Sequence, residues 1–194
     1  MPGLVLVTPP SVEPLSLQEL KDHLRIRTAT PVSTEDYGSE DRDLVRKLSA
    51  ARRWVEQRTG RALLASVWRY WFDAFPRVGY LDLPKQPILS IASLTSHDTA
   101  NAATVFSNSA YATDLIRGRL LLNDAYAWPT SVRRYQAGVV EFTAGYGTTA
   151  ADVPPDLVEA VAEMTGYFYY DREGIDPVPQ KVLDLVATYE LVAV

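Results

Sequence analysis

The stretch EDRDLVRKLSAARRWVEQRTG, Glu40 to Gly60, restricts the fold more than any other part of this chain. Leu44, Leu48, Ala51 and Val55 recur at helical spacing and fall on one stripe, so the segment reads as an amphipathic helix over about 40–59. Gly60 stands where a left-handed C-cap is wanted, because glycine alone adopts that backbone without a Cβ clash. Glu40, Asp41 and Asp43 sit at the positive end of the helix dipole, and Arg52, Arg53 and Arg58 lie toward its negative end. Arg42, Arg46 and Arg53 fall within about 40° of one another, opposite the apolar stripe. That basic face suits solvent, a neighbouring protein's carboxylates or phosphates.

Two further helices follow from similar signals. Ser16 and Glu19 form a capping box ahead of Leu17, Leu20 and Leu24, which predicts a helix over about 16–26. Pro154 and Pro155 precede Leu157, Val161, Met164 and Phe168, and proline is tolerated in a first turn, so a helix over about 155–172 is expected. Between them the pattern changes. SVWRYWFDAF, YLDLP, ILSIASLT, LIRGRLLLN and GVVEFTAGY alternate and are rich in aromatic and β-branched residues, which predicts antiparallel strands joined by turns over about 65–146. Gly79 and Gly118 take turn positions. HDTANAATVFSNSAYATD reads as a long loop with one weak strand at most, TATPVSTEDYG as a loop, and residues 1–15 as an extended arm without an element.

The expected class is α+β: a small helical bundle with an inserted antiparallel β-rich segment, one domain over 1–174, and a C-terminal extension over 175–194. That extension carries VLDLVATYELVAV, too apolar for a solvated tail, and is expected to dock on the domain itself or on a partner.

Composition removes several function classes. The chain has no cysteine, which excludes disulfides and thiolate metal sites and fits a reducing compartment. Its net charge of −5 gives no support for wrapping nucleic acid. No apolar run reaches bilayer length and MPGLVLVTPP lacks the parts of a signal peptide, so neither a membrane role nor export is expected.

No residue set reads as catalytic, and neither a cofactor nor a metal is expected. FTAGYGTTAADVPPDL, Phe142 to Leu157, has the placement of a phosphate loop but lacks both the Lys-Ser/Thr ending and the spaced glycines of a dinucleotide site. Gly145 and Gly147 are expected there for their backbone angles, as the chain leaves a strand for a helix. Ser96, His97 and Asp98 are sequence neighbours, and neighbours on a strand point to opposite faces, which argues against a triad. His23 and His97 read as surface or half-buried. Glu159 and Glu163, one helical turn apart, offer an acid and a base only if a closed pocket holds them; a solvated face explains them as well. The succession Tyr167, Phe168, Tyr169, Tyr170 spreads around its helix, so one core cannot receive every ring, and some are expected to meet another surface.

Taken together, LVTPPSVEPLSLQELKDHLRI, DLVRKLSAARRWVEQRTGRALL, the W-x-Y-x-F-D-x-F-P strand from Trp68 to Pro76, LPKQPILSIASLT, VVEFTAGYG with DVPPDLVEAV, and YFYYDREG carry a resemblance. The chain resembles the head-tail connector (adaptor) proteins of long-tailed phages and of the related gene-transfer-agent particles, over most of its length and in the family's order. The resemblance implies a structural, non-enzymatic virion protein of the particle neck, assembled in the bacterial cytoplasm. Such a protein forms a ring of about twelve copies beneath the portal, with head-to-tail interfaces. Its implied partners are further copies of itself, the portal protein, the next neck or tail-side connector, and double-stranded DNA in transit.

On that reading Arg42, Arg46 and Arg53 form a ring or channel face, and Tyr167, Tyr169 and Tyr170 a subunit interface. Val182, Leu183, Leu185, Val186, Tyr189 and Leu191 belong to a portal-docking segment. The loop over 28–38 and the polar stretch over 95–113 depart from the family pattern. Mild acidity suits a channel in which DNA must slide, since each phosphate contact adds affinity through counterion release. The alternative is a DNA-binding module that uses the basic face of the long helix.

Overall fold

The computed structural model describes residues 3–26, 39–115, 117–171 and 177–190. Along the chain these form β1 (Gly3–Thr8), α1 (Leu17–His23), α2 (Ser39–Thr59), β2 (Ser66–Phe72), β3 (Tyr80–Asp82), β4 (Ile88–His97), β5 (Ala103–Val105), β6 (Tyr111–Asp114), β7 (Arg119–Leu122), β8 (Gly138–Ala144), α3 (Pro155–Tyr170) and α4 (Gln180–Ala187). The class is α+β, as expected. The chain divides into two compact units, Met1–Pro10 with Ala65–Tyr146, and Ser11–Leu64 with Gly147–Val194. The first holds the strands and the second the four α-helices.

In the helical unit, α1 begins at the predicted capping box: Ser16 Oγ accepts from the Glu19 amide at 3.2 Å, and Glu19 Oε2 accepts from the Ser16 amide at 2.7 Å. Those bonds hold the Glu19 carboxyl below its ordinary pKa. The helix is shorter than the sequence suggests, because Arg25 takes a left-handed φ of 56° that ends it. Leu44, Leu48, Ala51 and Val55 of α2 are all buried, and Gly60 follows with the expected left-handed φ of 72°. α2 packs along α3, which contributes Leu157, Ala160, Val161 and Met164 to the same core. α4 closes on α3 through Val182 and Val186, both fully buried.

In the β unit, one sheet has the order β1-β2-β8-β4-β5 and a second the order β3-β7-β6, and the paired strands are antiparallel. β8 lies at the centre of the larger sheet, with Val140, Phe142 and Ala144 buried. Its register against β2 places Glu141 opposite Arg69, and the two side chains pair across the strands. It also places Gly138 opposite Phe72, where a Cβ on the glycine would stand 2.2 Å from the Phe72 ring. Gly118 makes the β6–β7 turn with a φ of 66°.

Several expectations are corrected. The N-terminal arm contains an element: β1 is an edge strand whose Leu4 and Val5 pair with Tyr70 and Arg69. The run LVLV is too short to declare itself without the partner strand that supplies its hydrogen bonds. The polar stretch 97–114 holds β5 and β6 instead of one weak strand. The strands do not simply follow one another by turns, since β8 enters between β2 and β4. Gly145 has a φ of 147°, as expected of its turn, but Gly147 is required for space: a Cβ there would meet Asp152 at 2.3 Å. Asp152 is fixed at that spot because it accepts from both the amide and the hydroxyl of Thr149 at 2.8 Å.

Candidate interaction interface

The helical unit carries most of the residues singled out from sequence. Arg42, Arg46 and Arg53 are all exposed on the side of α2 away from its core stripe. Arg46 pairs with Asp43 one turn away and keeps 79% of its side chain in solvent. Next to them a groove of about 510 Å³ is lined by Arg46, Ala50, Arg53, Trp54 and Phe168. Arg52, one residue along, has a different fate. It is only 4% exposed, and its guanidinium pairs with Glu13 at 2.7 Å and Glu56 at 3.0 Å, while Glu56 also accepts from the Leu63 amide at 3.0 Å. Sequence reading placed Arg52 only as a helix-dipole residue. Its spacing to Glu56 is visible in the sequence, but the approach of Glu13 is not.

The aromatic run at the end of α3 is partly consumed inside the unit. Tyr169 donates to Glu40, and the Tyr170 hydroxyl donates to the Leu24 carbonyl at 3.1 Å, although Tyr170 remains 67% exposed. Tyr167 is half-buried, with its ring 5.7 Å from that of Phe168. Lys47 donates to the Phe168 carbonyl at 2.7 Å, which ties α2 to this end of α3.

Of the six C-terminal residues, Val182 and Val186 are core residues of their own unit. Leu183, Leu185 and Tyr189 are half-buried, and Leu191 lies outside the described residues. The segment therefore docks on its own chain at least through α4. Tyr189 helps to anchor it: its carbonyl accepts from Arg61 at 2.8 Å, and burial together with Asp156 raises its hydroxyl pKa.

Glu159 and Glu163 do come together, but around a cation. Lys181 donates to Glu159 at 2.8 Å and to Glu163 at 2.5 Å. The hydrogen bond from Lys181 lowers the Glu159 pKa, and both bonds raise that of the ammonium. A general acid needs a carboxyl pushed up toward neutrality, and Glu159 is pushed the other way. His23 lies 3.7 Å from Glu163 at the edge of this group.

In the β unit, Ser96 and Asp98 line a cavity of about 330 Å³ with Phe106 and Tyr126, whereas the His97 ring stacks against Trp71 at 5.9 Å. Asp98 Oδ1 accepts from the Ala100 and Ala102 amides at 2.8 Å each, which fixes a turn, and the buried Nδ1 of His97 has no hydrogen-bond partner, so the three side chains do not form a triad. Burial first and Arg133 second hold the His97 pKa below its ordinary value. Among the described residues no group of three or more His, Cys, Asp or Glu side chains could hold a metal ion, and no helix is long and apolar enough to cross a membrane.

No protein-family profile matches the sequence, and no curated protein does. Solved structures do. The chain is similar to one in the virion of the native gene transfer agent particle, with 28% identity, a TM-score of 0.77, and coverage of 98% of this chain and 96% of that one. It is also similar to a chain in the neck of the empty particle computed with C6 symmetry, with 28% identity and a TM-score of 0.80 over 99% of this chain and 97% of that one. A chain in the neck of the native particle computed with C12 symmetry shares the fold at 24% identity, with a TM-score of 0.76 over 100% and 97%.

Proposed function

We propose that this chain is a structural protein of the neck of a gene-transfer-agent or phage-like particle: a head-tail connector that forms a ring beneath the portal and lets DNA pass. The observation that carries the reading is the match of both units to a chain of a particle neck, at a TM-score of 0.80 over 99% of the length. Likeness over the whole chain, and not over one unit, favours a shared role, because both units lie within the matched length. Necks of the similar particles were computed with six-fold and twelve-fold symmetry, and a closed ring of twelve copies satisfies both. The exposed aromatic and basic surfaces of the helical unit support a subunit built to be covered by neighbours.

The role is non-catalytic on this reading. A duplex-binding role draws little from the basic face of α2, where Arg46 is already paired with Asp43 on a chain of net charge −5. Electron microscopy of purified particles carrying a labelled copy of this chain tests the proposal. Label at the junction of head and tail is the expected result. Label anywhere else in the particle, or particles with complete necks that lack the chain, overturns it.

A further inference from the structure

A ring closes only when each subunit presents two different patches that fit one another, since a patch that fits itself stops at a dimer. The helical unit presents two such patches. We propose that the outward face of α2 on one copy binds the outward face of α4 on the next. This contact rests on the ring reading above and names the surfaces that make it.

The first patch is the groove of about 510 Å³ beside α2, where half-buried Trp54 and Phe168 lie among Ala50, Arg46 and Arg53, with Arg42 farther along the same face; Arg46 pairs with Asp43 yet keeps 79% of its side chain in solvent. The second is a groove of about 470 Å³ on α4, where Leu185 and Thr188 lie among Asp156, Asp184 and Lys181. The ammonium of Lys181 is already committed to Glu159 and Glu163. Asp156 and Asp184 are exposed and have only neutral partners among the described residues, the Tyr189 hydroxyl at 3.4 Å and the Gln180 amide at 2.8 Å, so their charges are not cancelled by Lys181. An apolar residue among carboxylates thus faces aromatic rings among arginines. Guanidinium suits this use, because its planar fork meets a carboxylate through two bonds and it stacks on aromatic faces.

Charge also selects the pairing. Copies of a chain with net charge −5 repel one another at long range, so they meet productively only where the local potentials are opposite. Two α2 faces would bring arginines together, and two α4 faces would bring carboxylates together. Only the mixed pairing is attractive, and it is the one that propagates around a ring.

The absence of cysteine makes a direct test possible, because every introduced thiol reports one place. The full-length chain carrying both Arg53→Cys and Asp184→Cys, treated with a short thiol–thiol cross-linker, is expected to give a ladder of dimers, trimers and higher species. Each single variant is expected to give none, and an equimolar mixture of the two singles a dimer that grows no further. Cross-linked dimers from either single variant alone, or a double variant that stays monomeric at millimolar concentration, overturn the contact.

A second set of variants guards against a cross-linking artefact. Arg46→Glu with Arg53→Glu is expected to weaken self-association by about tenfold or more, and adding Asp156→Arg with Asp184→Arg to the same chain to restore it. Circular dichroism checks that each variant is folded; unchanged association of the folded first pair overturns the proposal. The outcome is separable from that of the ring reading. Particle necks that contain a ring of this chain, with no ladder from the double variant, remove this contact and leave the ring. A ladder together with absence of the chain from the neck does the reverse.

Discussion

Lys21 of α1 and Asp41 of α2 form a buried ion pair: Nζ lies 2.6 Å from Oδ1, and the two side chains are 2% and 9% exposed. The pair joins the short first helix to the first turn of the long one. A buried charge that loses its partner cannot recover its hydration, so the two single removals and the joint removal should behave differently. Asp41→Asn or Lys21→Met alone is expected to cost about 3–5 kcal/mol. Lys21→Met combined with Asp41→Leu is expected to recover most of that loss. Urea unfolding of the three variants checks this; a double variant as unstable as the sum of the singles contradicts it.

Gly138 marks the place where β8 passes beneath Phe72. That ring is 3% exposed and packs edge-on against Phe75 at 4.9 Å, so it has no room to retreat from an added methyl group. Gly138→Ala is expected to destabilise the protein by about 1–3 kcal/mol, the usual cost of overpacking. Adding Phe72→Leu should make the alanine easier to accommodate, and a double-mutant cycle measures that coupling.

His97 gives the β unit a dependence on pH. Its Nδ1 is buried without a hydrogen-bond partner, and burial together with Arg133 depresses its pKa. A depressed folded-state pKa means that the unfolded chain binds the proton more readily. The contribution is therefore fully present above the unfolded histidine pKa and is lost as pH falls through it toward the lower folded value. Thermal midpoints between pH 7.5 and pH 5 are expected to fall more steeply for the native chain than for His97→Gln. Parallel curves would assign the acid sensitivity to other groups.

The attachment of α4 should depend on its apolar side and not on its charged one. Val182 and Val186 are fully buried, whereas Lys181 keeps 55% of its side chain exposed while it bridges Glu159 and Glu163. Val182→Ala or Val186→Ala is expected to cost about 2 kcal/mol through lost burial and residual cavity. Lys181→Met is expected to cost less than either valine variant, because exposed ion pairs contribute little. Chemical denaturation gives the order, and a larger loss from the lysine variant than from either valine variant reverses it.

Helices α1, α2 and α3 were legible because each carries its own evidence within a short length of chain: Ser16 with Glu19, the stripe from Leu44 to Val55, Gly60 beyond it, and the proline pair before Leu157; α4 was read only as an apolar extension. The strand-rich character of 65–146 was legible for the same reason, since alternation is local. Pairing is not local. The entry of β8 between β2 and β4 and the recruitment of Gly3–Thr8 as an edge strand depend on contacts between residues far apart in the sequence.

The candidate surfaces divide along the same line. The sequence determined that Arg42, Arg46 and Arg53 share a face, because helical periodicity alone places them there. It also set Arg52 nearer the apolar stripe than Arg53, but could not show that Arg52 would be buried between Glu13 and Glu56, because Glu13 reaches α2 only in three dimensions. Nor could it divide the apolar C-terminal residues into Val182 and Val186, which the core takes, and Leu185, which a groove leaves available to a neighbour. Local periodicity tells which side chains travel together; only packing decides which of them is left for another molecule.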